Sequence, residues 1–352
     1  MQRLQLIILT LMASFLVACG GNSSSSPSTL ASSILGIVLD DPTAPAKLYI
    51  ANADNQTVQA VDLSTNAVTT LAGLAGNAGS TNATGSSARF YEPFAITKLG
   101  GDLYIADTDN FTIRKLTTAG VTTTLAGTVG TSGSNDATGT SATFNIAKGI
   151  TGSGNFLYLA DTYNQTIRKI DITTGAVTTL AGYAGTTGTT DNATGSSARF
   201  NYPYSLTTLD GSNIYVSDTL NQTIRVVSAA GAVTTLAGSA GNAGSTDASG
   251  TSAKFNYPAG IAIDSTGANL YVADSSNHVI RKVVIGSGAV TTLAGTAGTA
   301  GSTDGTGAAA RFNTPIGVAI DNAGNLYVTD QVYTKVRKVT AAGVVTTLSA
   351  TF

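Results

Sequence analysis

Residues 258–293 read PAGIAIDSTGANLYVADSSNHVIRKVVIGSGAVTTL, and they divide into four short apolar runs separated by turn residues. The runs are Gly260–Asp264, Asn269–Asp274, Val279–Val284 and Ala289–Leu293. Five or six residues rich in Val, Ile, Tyr and Thr, bounded by Gly, Asn, Asp and Ser, make a strand. A connection as short as Ser265–Ala268 forces neighbouring strands to pair antiparallel. The stretch therefore predicts one four-stranded antiparallel unit.

The same unit recurs in both directions. A Thr-Thr-Leu tract places its Leu at 71, 125, 180, 236, 293 and 348, at spacings of 54 to 57 residues. The run corresponding to Asn269–Asp274 ends at Asn52, Asp107, Asp161, Asp218, Asp274 and Asp330. A period in this range indicates a propeller, a solenoid or an array. The rungs are too long for a β-helix, and the Leu and Asn ladder of a leucine-rich solenoid is missing. Six four-stranded units predict an all-β chain: a six-bladed β-propeller of four-stranded antiparallel blades over residues 34–352.

Composition agrees and removes alternatives. The 352 residues include 40 Gly and 56 Thr, no Trp, and a single His, Cys and Glu. One Glu cannot supply a helical bundle. Charged residues are 11 %, and Lys+Arg 18 against Asp+Glu 20 leaves −2, so there is no basic excess to neutralise a nucleic acid backbone. Nucleic acid is not an expected partner.

Ahead of the repeats, Met1-Gln2-Arg3 leads into an apolar run from Leu4 to Ala18. Fifteen helical residues span about 22 Å, short of the roughly 30 Å hydrocarbon core, so residues 1–18 read as a signal peptide and not a membrane span. Its end, Leu16-Val17-Ala18-Cys19, resembles the lipobox of bacterial lipoproteins, which implies cleavage before Cys19 and lipidation of its thiol. Residues 19–33 continue as a Ser-rich, uncharged tether. The expected address is the bacterial envelope, lipid-anchored in the outer membrane and facing the periplasm or the cell surface, with the membrane as one partner.

The tract from Pro258 to Arg281, with its Asn269-Leu-Tyr-Val-Ala-Asp274 and Asn277-His-x-Ile-Arg281, resembles the NHL repeat, and Pro315 to Arg337 matches nearly as well. The resemblance extends over residues 34–352. Copy one departs most, with Asn52 for Asp and Gln59 for Arg, and copy three has Ile146-Ala147 where others have x-Pro. The resemblance implies an interaction platform. It also raises catalysis, since some propellers of this kind resemble peptidyl-hydroxyglycine lyases or gluconolactonases. The first need several His, and His278 stands alone in a slot held elsewhere by Gln56, Gln165 and Gln222. The second use a Glu with Asp and Asn around a divalent cation, which leaves Glu92 as the residue on which a metal-dependent hydrolase, lactonase or lyase would rest.

Recurring residues divide between framework and function. Asp-x-x-Asn at Asp107, Asp161, Asp218 and Asp274 is expected to be a hairpin whose Asp caps nearby N–H groups, not a metal ring. Arg114, Arg168, Arg225, Arg281 and Arg337, each seven residues later, are expected to neutralise those Asp. A connection of about twenty residues carries Phe90, Phe144, Phe200, Phe255 and Phe312, expected to be plugs between blades, and Asp191, Asp247 and Asp304, a weak cation signal. In an up-and-down blade the second hairpin and these connections leave on one face, which is expected to collect the long loops. Aromatics that break the repeat there are the candidate binding surface: Phe94, Phe111, Tyr163, Tyr202, Tyr204 and Tyr257. The functional expectation is a non-catalytic module for a protein, peptide or glycan, with no catalytic residue, no metal and no cofactor.

Overall fold

Every one of the six units pairs its own strands in sequence order. In the fifth, Pro258–Ile263, Asn269–Asp274, Val279–Val284 and Ala289–Ala294 form one antiparallel sheet. The computed structural model describes residues 34–352, and the signal peptide, Cys19 and the tether lie outside them. The first strands, beginning at Ile34, Pro93, Gly149, Pro203, Pro258 and Pro315, touch one another in cyclic order, the first against the sixth. This is a closed six-bladed β-propeller, all-β as expected.

The hydrophobic pattern follows from that arrangement. A second strand has a blade against each of its faces, so its residues are buried without alternation, as in Leu270 to Asp274. The fourth strand lies at the rim, and Thr178 and Thr179 of Val177–Gly182 are exposed. Between neighbouring blades sits an apolar cluster. The fourth and fifth blades share Tyr215, Ile224, Phe255, Ile261, Leu270 and Val283.

The connections between blades reach further than expected. Each lies first against the hairpin of the following blade, where Asn110, Asn164, Asn221 and Asn277 Nδ2 donate to Gly79, Gly133, Gly188 and Gly244 O. Each then climbs the outer edge of the following blade, pairs there with its fourth strand, and returns to the interblade core through a short turn of 3-10 helix. Thr122 N–H donates to Ala83 O at 2.8 Å, and Val177 and Val290 bond Ala137 and Ala248 in the same way. In blade six the contact becomes a fifth strand, Gly305–Thr306. The physical reason is the unpaired rim of each blade, whose free N–H and C=O groups the connection satisfies.

Closure uses different parts. Ala350 is buried in the junction of blades six and one, with Phe352 packed beside it, where other junctions hold a connection Phe. Thr329 Oγ1 donates to Leu35 O at 3.2 Å, and Asn322 N–H donates to Pro42 O at 2.7 Å. Gly317 stands at the same seam. A Cβ there would lie 2.3 Å from Leu35 O, so the inner strands of blades six and one meet only because this residue has no side chain.

Candidate functional site on the propeller axis

The recurring charges form framework. Arg225 Nη1 donates to Asp218 Oδ2 at 2.7 Å and Nη2 to Asp191 Oδ1 at 2.6 Å, and the guanidinium lies 5.1 Å from the centroid of Phe200. Asp191 also accepts from the Thr235 N–H at 3.0 Å. The arrangement repeats with Asp136, Asp247 and Asp304 in the Asp191 position, so the carboxylates that offered a cation signal are held by Arg. The hairpin Asp does not cap its own turn. Asp107 accepts from the Tyr91 N–H and from Asn110 Nδ2, each at 2.7 Å, because Arg114 draws it inward. Among the described residues only copy one behaves as expected, with the Asn55 N–H on Asn52 Oδ1. Burial pushes the hairpin carboxyls up, against the pull of their Arg.

A second recurring device crosses blade boundaries. Residues before the Pro position adopt left-handed backbone: Glu92, Ile146, Tyr202, Tyr257 and Thr314, at φ between 50° and 62°. Four of their N–H groups are caught by the hairpin side chain of the preceding blade. Glu92, Tyr202 and Tyr257 donate to Gln56, Gln165 and Gln222 Oε1 at 2.8, 2.6 and 2.7 Å. His278 serves as the fourth acceptor, through Nδ1 at 3.1 Å from Thr314 N. It is half-buried, and burial lowers its pKa.

One step past the Pro position the six copies disagree: Leu35, Phe94, Lys148, Tyr204, Ala259 and Ile316. These side chains begin the innermost strands and converge on the axis. Five of them join Ala53, Tyr202 and half-buried Tyr257 in one apolar cluster. Phe94 packs edge-on to Tyr204 at 5.5 Å, and Tyr202 has Tyr163, Tyr204 and Tyr257 around it at 5.6, 6.2 and 6.5 Å. Lys148 Nζ enters this group 4.2 Å from the Phe94 centroid and 5.6 and 5.8 Å from Tyr204 and Tyr202.

Of the residues expected from sequence, Phe94, Tyr202 and Tyr204 are buried in this plug, Tyr257 is half-buried, and Tyr163 is exposed at its rim. Phe111 stands apart. It occupies the hairpin slot of the Gln residues, half-buried at φ 57°, with no ring contact to the others. Sequence reasoning missed Lys148 and Asp109. The signal for Lys148 was its slot, where the other five copies carry only apolar side chains or Tyr.

Charge gathers at the plug. Burial lowers Lys148 to about 8, against Glu92 and Asp109, which favour its cation. Burial raises Glu92, and the Asp109 charge adds to the effect. Asp109 is raised by burial as well. Tyr257 is pushed up to about 12, chiefly by burial. Among the described residues no three His, Asp or Glu side chains converge as a metal would require. Below the plug runs a shaft of about 440 Å³ lined by the first strands of all six blades. It begins at Phe94, Lys148 and Tyr204 and opens on the opposite face beside Asp40, Lys98 and Asn322.

A family model described as NHL repeat matches residues 255–282. Human NHL repeat-containing protein 2 is 31 % identical over 279 residues, covering 70 % of this chain, and the chain spans 38 % of that protein's length. Among solved structures, an auxiliary nutrient binding protein from Bacteroides thetaiotaomicron superposes with a TM-score of 0.64 at 16 % identity, over 90 % of this chain and 70 % of that one. A virginiamycin B lyase from Staphylococcus aureus gives a TM-score of 0.55 at 12 % identity, over 93 % and 87 %. These two likenesses are of fold.

Proposed function

This chain is an NHL-repeat β-propeller, and from that premise we propose that it is a non-catalytic binding module, held at the bacterial envelope by a lipid on Cys19. Its ligand, a protein, peptide or glycan, is received on the axis around Tyr163, Tyr257 and Lys148. One observation carries this reading. The Asp, Arg and Phe positions repeat from blade to blade and are occupied in holding the fold, whereas the positions that converge on the axis differ in every blade. A fold neighbour described as an auxiliary nutrient binding protein supports the same class of role.

Site-specific photocrosslinking tests it in the native envelope. A crosslinker in place of Tyr163, on the axial face, is expected to capture an envelope component. The same group in place of Leu209, exposed on the opposite face, is expected to capture none. Equal capture from both positions, or none from Tyr163, overturns the reading. The anchor is tested separately by Cys19→Ser, which should move the protein from the detergent phase to the aqueous phase without loss of fold. Partition of the unaltered protein into water refutes the lipid.

A further inference from the structure

We propose that the outer edge of blade one is a docking strand for another polypeptide, which adds an extended segment of Asn-Ala-Thr-Gly type to Val68–Gly73. The site lies on the rim, and it stands or falls independently of what the axis binds.

The other blades show what such an edge takes. In blade three the Val177 N–H donates to Ala137 O of the connection at 2.8 Å, and the Thr179 N–H to Asp136 Oδ2 at 2.9 Å. Gly175 O accepts the Gly139 N–H at 2.9 Å. Blade five repeats all three contacts with Ala248, Asp247 and Gly250. A connection pairs in this way with blades two to six.

Blade one presents the same edge uncovered. Val68 and Thr70 face Val61 and Gln59 in the register that Val177 and Thr179 keep with Ile170 and Arg168. Asn66, at φ 59°, makes the turn that Gly175 makes at φ 72°, and each donates its N–H four residues back, to Asp62 and Asp171. The Val68 and Thr70 N–H groups and the Asn66 carbonyl therefore point outward, and among the described residues none has a partner. The Val68 side chain is only half-buried, whereas Val177, Val233, Val290 and Val345 are no more than 2 % exposed. The strand carries no Lys or Pro to turn a partner away.

The five connections also define the occupant. It needs an acceptor side chain for Thr70, a pairing residue directly after it, and a Gly two residues further on. A second copy offering this same edge cannot provide that, because Val68–Gly73 contains no Asp or Asn. A segment of another polypeptide can, by adding a strand. Its acceptor is neutral. Gln59, bonded to Asn52 Nδ2 at 3.1 Å, stands where the other blades have Arg, so no guanidinium draws a carboxylate there. Asn82, which accepts from Thr124 Oγ1 at 3.2 Å, is the matching residue in blade two.

The test is amide hydrogen exchange of the full chain in detergent, resolved to single residues. The probe is a blocked peptide, Ser-Thr-Asn-Ala-Thr-Gly-Ser-Ser, the sequence of residues 80–87, beside a scrambled control. At about ten times its dissociation constant it should slow the Val68 and Thr70 amides about tenfold and leave Val177 and Thr179 unchanged. Val68→Pro removes the outward N–H without breaking a bond inside the blade, and it should abolish the slowing. Replacing the peptide's Asn by Ala alters nothing in the protein and should weaken binding about fivefold, the worth of one hydrogen bond. No slowing up to the solubility of the peptide, or equal slowing by the scrambled one, overturns the proposal. Protection of both amides before peptide is added also overturns it, and gives the edge to this chain or to a second copy.

Discussion

At the scale of single residues, the chain solves one problem five times: how to hold a guanidinium with no access to water. Arg114, Arg168, Arg225, Arg281 and Arg337 are each 0 or 1 % exposed. Each has a buried hairpin Asp on one side and a polar connection residue on the other, Asn82 for Arg114 and Asp elsewhere. Removing the buried Asp leaves the guanidinium with only its half-exposed partner, Asp191 in the case of Arg225. Asp218→Asn should therefore cost about 3–5 kcal/mol in chemical denaturation, and Asp218→Asn with Arg225→Met should recover a large part of it. A double variant as unstable as the single one would show that the pair acts through shape and not charge. His278 offers a pH test. Its Nδ1 accepts the Thr314 N–H, so the folded state holds the neutral ring, with a pKa below the ordinary 6.5. The unfolded chain then binds more protons as pH falls through that value. The contribution is complete above the unfolded pKa and is lost as pH drops toward the folded one. The raised hairpin carboxyls act in the opposite sense over the same range, so the His278 contribution is read as a difference: relative to His278→Gln, the unaltered protein should lose melting temperature from pH 7.5 to 5.5. An equal slope in the two proteins would mean that the ring is protonated without cost.

At the scale of elements, the connections are the distinctive part. Their Phe residues are all fully buried, as the fixed spacing predicts. Phe255 packs with Tyr215, Ile224, Leu270 and Val283 beneath the Arg281 guanidinium. Phe255→Ala should cost about 3–5 kcal/mol and speed hydrogen exchange along residues 244–257, whereas Phe111→Ala, at a half-buried hairpin position, should cost less and leave exchange there unchanged. Equal effects would mean that the connection is held by its Arg and Asp alone. Strands and plugs were legible because each recurs at constant offset and answers a local need, burial or pairing. The path of the connections over the rim was not. It depends on an edge left open by the next blade, and no periodicity within the connection records that edge. The hairpin Asp misled for a similar reason. Its spacing to Asn110 is that of a turn cap, but Arg114, brought alongside on the paired strand, outcompetes the local N–H groups for the carboxylate. The axial site was half legible: breaks in the repeat pointed to Tyr202, Tyr204 and Tyr257, while Lys148 gains meaning only where positions about 55 residues apart meet on the axis.

At the scale of the whole molecule, six similar blades become one body only if the ring closes, and closure joins residues some 290 positions apart, as in the Thr329 contact with Leu35. Among the described residues no strand is exchanged between the ends. The first strand belongs to blade one and the last long strand to blade six, so the seam is held by packing and a few hydrogen bonds. Its tightest point is Gly317. A methyl group there would meet Leu35 O at 2.3 Å and Thr329 Oγ1 at 2.8 Å, and a backbone oxygen cannot rotate away as a flexible side chain would. Either the inner strands of blades six and one separate or the hydrogen bond at Thr329 is lost. Gly317→Ala should thus destabilise by about 1–3 kcal/mol, the usual cost of overpacking. Gly286 is the control, since a Cβ there meets nothing within 4 Å. Gly286→Ala should be neutral or stabilise by up to about 1 kcal/mol through the unfolded chain. The discriminating measurement is local. Hydrogen exchange in Gly317→Ala should rise first at Ile34–Leu39 and Pro315–Ile320, the two strands at the seam, and stay unchanged in blades three and four. A uniform rise around the ring would show that the blades unfold as one unit and that the seam is no weaker than any other junction.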